Sequence, residues 1–335
     1  MISGPAAAAR TPDGRRPEGA RPLVVRTPRS KAQVLELRPR PPFRLDLTVW
    51  ALRRRKQNQI DHWEGRIYRR ALLLADGPLE LEVRQRGPAA RARLEVRISG
   101  RWTSGREDAV RSTLTRLLGL EVDLSGFYAR AGHDHLLGPL ADRYRGLKPP
   151  RFPRLFECLL NAVACQQLSL AAGLTLLNRL ASAGGRRADT LHTFPEPTDV
   201  LRLSPSELRS IGFSARKAAT MLALADTAAS GAFDLAQLEP LDDEAVRERL
   251  IRQPGIGPWS ADYVLLRGLG RLHVFPRADI GAFNGLRRLL TNAGSTDEPR
   301  AVLARLGVDA GLLYFHLLLC GLEENGVLTS VIRDV

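Results

Sequence analysis

The chain has 335 residues, 44% of them apolar, and carries 50 Lys plus Arg against 36 Asp plus Glu, a formal charge of +14. That length is enough for two domain cores, and no apolar run in the sequence approaches the roughly 20 residues of a membrane span, so a membrane protein is not expected. Positive charge beyond what solubility requires favours a phosphate-bearing partner bound in a strongly salt-dependent way. Lys31, Lys56, Lys148 and Lys217 are the only lysines; the remaining 46 cations are arginine, which suits bidentate phosphate contacts and is also what a GC-rich coding sequence produces. Cys158, Cys165 and Cys320 are an odd count with no Cys-x-x-Cys spacing, which argues against a disulfide framework or iron–sulfur cluster and for a reducing, cytoplasmic interior.

Residues 1–33, rich in Arg, Pro, Ala and Gly, lack the apolar core of a signal peptide and read as a mobile tail. Residues 34–120 read as a sheet-and-helix domain. Leu45, Leu47 and Val49 alternate, Leu72–Leu74 and Leu79–Val83 flank Asp76-Gly77-Pro78, and Leu94–Ile98 alternates again, predicting a twisted antiparallel sheet. Arg106–Leu118 has helical spacing, with Val110, Leu114 and Leu117 on the side that packs on that sheet. From 121 to 335 the chain reads as helical, and the fold class is α+β. Ser204-Pro205-Ser206-Glu207 combines an N-cap, an N1 proline and a capping-box Glu, Gly212 closes that helix and Ser214 opens the next. Two apolar helices, 155–164 and 170–181, are interrupted by Gln166-Gln167. The six histidines are scattered, so no transition-metal site is expected.

The segment from Asp242 to Tyr263 predicts a helix, a glycine hairpin and a second helix running from Pro258 to about Arg267. Gly255 and Gly257 permit positive φ on both sides of Ile256, which turns inward as an anchor, and Pro258 suits a first helical turn. N–H groups at such a turn converge on an anion, although Pro-Gly-x-Gly alone is also an ordinary interhelical turn. A short extended segment, Leu272–Pro276, then leads to Asp279 at the next helix start. The dipole there stabilises an ionised carboxylate, and the same position suits a plain N-cap.

Together these segments resemble the helix-hairpin-helix DNA glycosylase superfamily, and within it the alkylated-base branch, DNA-3-methyladenine glycosylase II. The likeness rests on Leu250-x-x-Pro254-Gly255-Ile256-Gly257-x-Trp259-Ser260-Ala261, on Val274-Phe275-Pro276 and Asp279, and on the Gln166-Gln167-x-Ser169 element. It extends through Phe194-Pro195-x-Pro197 and Leu208–Lys217 and covers roughly residues 40 to 320. It implies base excision repair of alkylated purines in double-stranded DNA by a monomer without a cofactor, with Asp279 catalytic. Gln253, Pro254, Gly255, Ile256, Gly257 and Ser260 are then the phosphate-binding hairpin. Carbonyls of Ile251, Gln253 and Ile256 are the expected seat of a monovalent cation.

The resemblance also implies a wedge at Gln167, with Leu168 beside it, that fills the gap left by an extruded nucleotide. The branch commonly has an apolar residue there, so Gln167 departs from it, and a polar interhelical loop is the plainer alternative. A pocket for cationic bases should be aromatic; Trp259 and Tyr263 lie one helical turn apart, and Trp50 is aligned more loosely and fits a core better than the pocket. A further family aromatic is replaced near Leu318, with Tyr314 and His316 close by. Lyase members carry a Lys where this chain has Trp259, so hydrolysis without a covalent intermediate is expected, and Lys217 reads as a solvated or phosphate-facing charge. Two other readings stay open: a non-catalytic helix-hairpin-helix DNA-binding module, and a glycosylase for oxidised or deaminated bases.

Overall fold

The computed structural model describes residue 1 and residues 34–99, 103–233 and 235–328. The tail expected over 1–33 lies, Met1 apart, outside the described residues. Five strands, β1 (Val34–Leu37), β2 (His62–Glu64), β3 (Ile67–Leu74), β4 (Gly77–Arg86) and β5 (Arg93–Ile98), form one antiparallel sheet in the order β1-β5-β4-β3-β2. In β5 the alternation is clear: Leu94, Val96 and Ile98 are buried while Arg93 and Arg97 are exposed. Helix α2 (Ser104–Leu118) is capped by the Thr103 side chain, which accepts the Arg106 N–H, and lays Val110, Leu114 and Leu117 into the sheet's core.

One expected strand is a helix. Leu45, Leu47 and Val49 belong to α1 (Leu45–Arg53), in which every residue except Asp46 is buried. Alternation loses its meaning when both faces are covered. Leu45, Val49 and Leu52, at i, i+4 and i+7, join the sheet's core, whereas Leu47, Trp50 and Ala51 join the core of the helical region. The helix is the shared wall between the two halves.

The helical region continues with α3 (Ser125–Ala131), α4 (Leu137–Arg143), α5 (Leu155–Cys165) and α6 (Leu170–Gly184). A small β6/β7 pair (Arg187–Ala188, Leu191–His192) is followed by α7 (Pro197–Val200), α8 (Pro205–Ile211) and α9 (Ala215–Ala229). Then come α10 (Asp243–Ile251), α11 (Pro258–Tyr263), α12 (Ile280–Asn292), α13 (Pro299–Leu306) and α14 (Ala310–Glu324). The capping box at Ser204 forms as expected, with Ser204 accepting the Glu207 N–H and the Glu207 carboxylate accepting the Ser204 N–H. Helix α11 does not stop near Arg267; it passes into a buried π-helical turn, Val264–Leu269, and ends at Gly270. Gly268 lies inside that turn because a Cβ there would sit 2.8 Å from Leu155 Cδ2. Leu272–Pro276 is irregular rather than extended, with a turn at 272–273, and is held by the Gly311 N–H donating to the Leu272 carbonyl at 2.7 Å.

The stretch Pro299–Glu324 is longer and more apolar than the sequence reading allowed: by length and composition it passes as a membrane span. However, 67% of its apolar window is buried within the fold, and α14 packs on α1, α4 and α12, as a core helix does.

A buried charge cluster ties the sheet to the helices. Arg70 on β3 donates from Nη1 to Asp61 Oδ1 and from Nη2 to both carboxylate oxygens of Glu157 on α5, each at 2.6 Å. The Tyr68 hydroxyl donates to Asp61 at 2.7 Å. Arg70, Asp61 and Glu157 are each at most 5% exposed, so α5 enters the site at a height fixed by the sheet.

Candidate active site

A cleft of about 1400 Å³ opens where α5, α6, the α10–α11 hairpin, the start of α12 and α14 converge. It gathers residues from Arg54 to Asn325, and Asp279 is the only carboxylate among its lining residues, against Arg54, Arg55, Arg216, Lys217, Arg252 and Arg288. A cationic rim around one acid draws in a polyanion and leaves a single negative group to meet it.

The hairpin is built largely as its sequence suggests. Asp242 caps α10 through the Ala245 N–H, Arg247 Nε donates to Asp262 Oδ1 at 3.0 Å and clamps the two helices together, and Ile256 is 5% exposed in the core. The two glycines differ. Gly255 is left-handed, at φ +76, and a Cβ there would fall 2.4 Å from Thr220 Oγ1. Gly257 is extended instead, with φ −111 and ψ −179, so only one positive φ is used. A Cβ on Gly257 would meet nothing within 4 Å. No neighbour in the fold therefore requires glycine at 257; its bareness leaves the main chain open to something arriving from outside.

Ser260 is placed differently from its expected phosphate-binding role. It is 1% exposed, and its Oγ accepts Gln166 Nε2 at 2.9 Å, so it serves the interior of the site. The Gln253 carbonyl already accepts the Ile256 N–H at 3.2 Å.

Asp279 is the N-cap of α12 and also something more. Its Oδ1 accepts the Ala282 N–H at 2.9 Å. Asp279 lines the cleft, and among the described residues its other oxygen meets two long donors, Trp259 Nε1 and the Tyr314 hydroxyl, each at 3.4 Å. Capping consumes one oxygen; weak contacts leave the second with lone pairs for a charge that develops beside it.

Trp259 and Tyr263 both line the cleft and stack with centroids 5.4 Å apart and planes 30° from parallel. Trp259 is half-buried and presents its ring, whereas Tyr263 is buried beneath it, where desolvation pushes its phenol up to about 12. Trp50 does not join them. It is absent from the cleft lining and packs in the core of the helical region with the Arg53 guanidinium 4.8 Å over its ring; helical geometry turns it toward α14, away from the hairpin. Leu318 does line the cleft, beside Tyr314. His316 points away, buried against Phe127 and Tyr144, its Nδ1 paired with the Leu312 carbonyl at 2.8 Å and its ring lowered to about 4 by burial.

Gln167 and Leu168 stand at the rim of the cleft, both exposed, Gln167 in left-handed backbone at φ 53 and Leu168 with 44% of its surface free. Lys217 is not a solvated charge: its Nζ donates to the carbonyls of Ala164 at 2.9 Å and Gln166 at 2.7 Å, closing the end of α5, and burial lowers its affinity for the proton. Cys158 is fully buried as expected, but Cys165 lines the cleft.

A family model described as "HhH-GPD superfamily base excision DNA repair protein" matches residues 160–307, and DNA-3-methyladenine glycosylase 1 of Schizosaccharomyces pombe is 31% identical over 177 residues, 52% of this chain and 74% of that one. The chain belongs to the HhH-GPD superfamily. A DNA-3-methyladenine glycosylase of Bacillus subtilis is 32% identical over 174 residues, 51% of this chain and 57% of that protein. The chain spans about half the length of the first curated relatives it matches. Beyond the HhH-GPD segment the likeness is one of fold: a solved 3-methyladenine DNA-glycosylase from Archaeoglobus fulgidus superposes with a TM-score of 0.74 over 89% of this chain and 99% of that one, at 24% identity.

Three residues of this HhH-GPD site were given no role from the sequence, although Gln166 belongs to the Gln166-Gln167-x-Ser169 element. Gln166 joins α5 to the hairpin by donating to the Gly255 carbonyl as well as to Ser260, both at 2.9 Å. Arg54 and Asn161 meet Tyr263 beneath the cleft. Asn161 did leave a signal, an amide in the middle of an apolar helix; Arg54 left none, since it sits in an Arg-Arg-Arg-Lys run that reads as a solvated charge.

Proposed function

We propose that the protein is a monofunctional DNA glycosylase that extrudes an alkylated purine of the 3-methyladenine or 7-methylguanine type from duplex DNA and hydrolyses its N-glycosidic bond. The observation that carries this reading is Asp279, which lines a cationic cleft beside a bare glycine turn and has its second oxygen only weakly held. The hairpin main chain around Gly257 grips a phosphate, which sets the extruded sugar near Asp279. Leu168, the exposed apolar side chain at the rim, fills the vacated stack with Gln167 next to it; unstacking costs a few kcal/mol that these contacts offset. The base lies against the Trp259 face, with Tyr314 and Leu318 opposite. As the bond to the base lengthens, positive charge grows on the sugar and Asp279 stabilises it and orients water.

Hydrolysis rather than lyase chemistry is supported by Trp259 at the position where lyase relatives place a Schiff-base lysine. Lys217, the one lysine lining the cleft among the described residues, has its amine bound to two carbonyls. The reading is tested by incubating lesion-bearing duplexes with the protein and measuring free base: release of an alkylated purine supports it, and binding without release of any base points to a DNA-binding module.

The hairpin makes its own prediction. Gly257→Ala should leave thermal stability within about 0.5 kcal/mol, because the methyl meets nothing in the fold, yet weaken DNA binding about tenfold by obstructing charged hydrogen bonds to the backbone. Gly255→Ala should lower stability as well, since it adds a clash at Thr220 to about 1–2 kcal/mol of left-handed strain. Melting curves and fluorescence anisotropy on one duplex separate the two effects.

A further inference from the structure

Beneath the cleft lies a charge for which the hydrolytic reading has no use. Arg54 ends α1 in left-handed backbone, is 4% exposed, and its side chain lines the cleft. One terminal nitrogen donates to the Tyr263 hydroxyl at 3.0 Å and the other to Asn161 Oδ1 at 2.8 Å; Nε is buried without a partner. Among the described residues no carboxylate pairs with it. Of the other deeply buried arginines, Arg70 meets two carboxylates and Arg53 bonds the carbonyls of Arg55, Lys56 and Trp63; Arg267, like Arg54, has no carboxylate partner among the described residues, but it lies against Phe152, Tyr263 and Phe315 and does not line the cleft. A buried cation held by a phenol, an amide and the Cys165 thiol, with no carboxylate bonded to it among the described residues, is costly to maintain, and it lies in the floor of the cleft.

We propose that Arg54 is a specificity-determining residue that favours uncharged purine lesions over lesions with a fixed positive charge. The inference rests on the glycosylase reading and extends its substrate class: 3-methyladenine and 7-methylguanine, already good leaving groups, need no guanidinium, and Arg54 adds the uncharged purines, on which the rate enhancement is the larger. In the reaction the C1′–N9 bond breaks and both its electrons go to the base, and the oxygen of water bonds C1′; the proton that water loses ends on the base when the nucleoside is uncharged and passes to solvent when the nucleoside is a cation. From an uncharged nucleoside the base departs bearing negative charge until it is protonated, and a buried guanidinium stabilises that charge where it develops. From 7-methylguanosine the base departs neutral, so the guanidinium contributes nothing to bond breaking and repels the cation as it is seated.

The test measures single-turnover base release from three duplexes, carrying hypoxanthine, 1,N6-ethenoadenine or 7-methylguanine, and expresses each as an enhancement over spontaneous depurination of the same lesion. For the wild type the enhancement on the two uncharged lesions should exceed that on 7-methylguanine by on the order of tenfold; an equal or smaller enhancement overturns the proposal. Arg54→Met should shift the ratio toward 7-methylguanine by a similar factor, while Arg54→Lys, which keeps the charge, should hold it near wild type. A ratio taken within one preparation does not depend on how much of the variant is folded. Loss of all three activities in proportion would show a purely structural residue and overturn the proposal, and release of no base by the wild type would overturn the glycosylase reading along with it.

Discussion

Asp279→Asn should cut base release by about 10³-fold, the scale on which removal of one well-placed electrostatic group acts, while DNA affinity stays at or above the wild-type value. The substitution is nearly isosteric. An Asn carbonyl can still accept the Ala282 N–H that caps α12, and Asn is as good an N-cap as Asp, so the helix and the cleft should persist. What is lost is the negative charge on the oxygen that meets only two contacts of 3.4 Å, and that charge is what a cationic sugar requires. Removing the only acid lining a cationic cleft should, if anything, tighten the grip on a polyanion. Single-turnover base release and anisotropy on the same duplex give both numbers. Near wild-type release would reduce Asp279 to a cap.

The largest stability effect is expected at Arg70. Arg70→Leu leaves Asp61 and Glu157 buried without their counter-ion, and breaking one side of such a cluster costs about 3–5 kcal/mol. Because β3 and α5 are joined here, the loss should be felt at the site as well as in the sheet, through the position of α5 and the Gln166 bridge at its end. A drop in melting temperature of roughly 10 °C corresponds to that energy for a domain of this size. The triple variant Arg70→Leu, Asp61→Asn, Glu157→Gln should recover much of it, since what destabilises is the uncompensated charge rather than the absence of the ion pair. A single variant as stable as wild type would show that the cluster contributes nothing.

Local chemistry made the hairpin, the capping box at Ser204 and the Asp279 cap legible in the sequence, because each is written within a few consecutive residues. The site's floor was not. Arg54 reaches Tyr263 across 209 positions and Asn161 across 107, and no local pattern encodes either contact. Trp50 and the strand expected at Leu45–Val49 went astray together for one reason: a helix buried on both faces has apolar residues at every spacing, so a period of two is present without meaning a sheet. Gly257 shows the opposite case. Its residue type was legible but its conformation was not: it is extended, with open space where a Cβ would stand, rather than a second left-handed turn position.

In the proposed reaction one carboxylate, set beside a glycine hairpin, directs water onto a sugar without any covalent bond to the protein. The most direct test is to treat a duplex carrying one excisable lesion with the protein, divide the product, and analyse it with and without alkali and with borohydride present during the reaction. The account predicts free base from every portion, strand breaks only after alkali, and no protein–DNA adduct. Strand breaks without alkali, or an adduct trapped by borohydride, would contradict it.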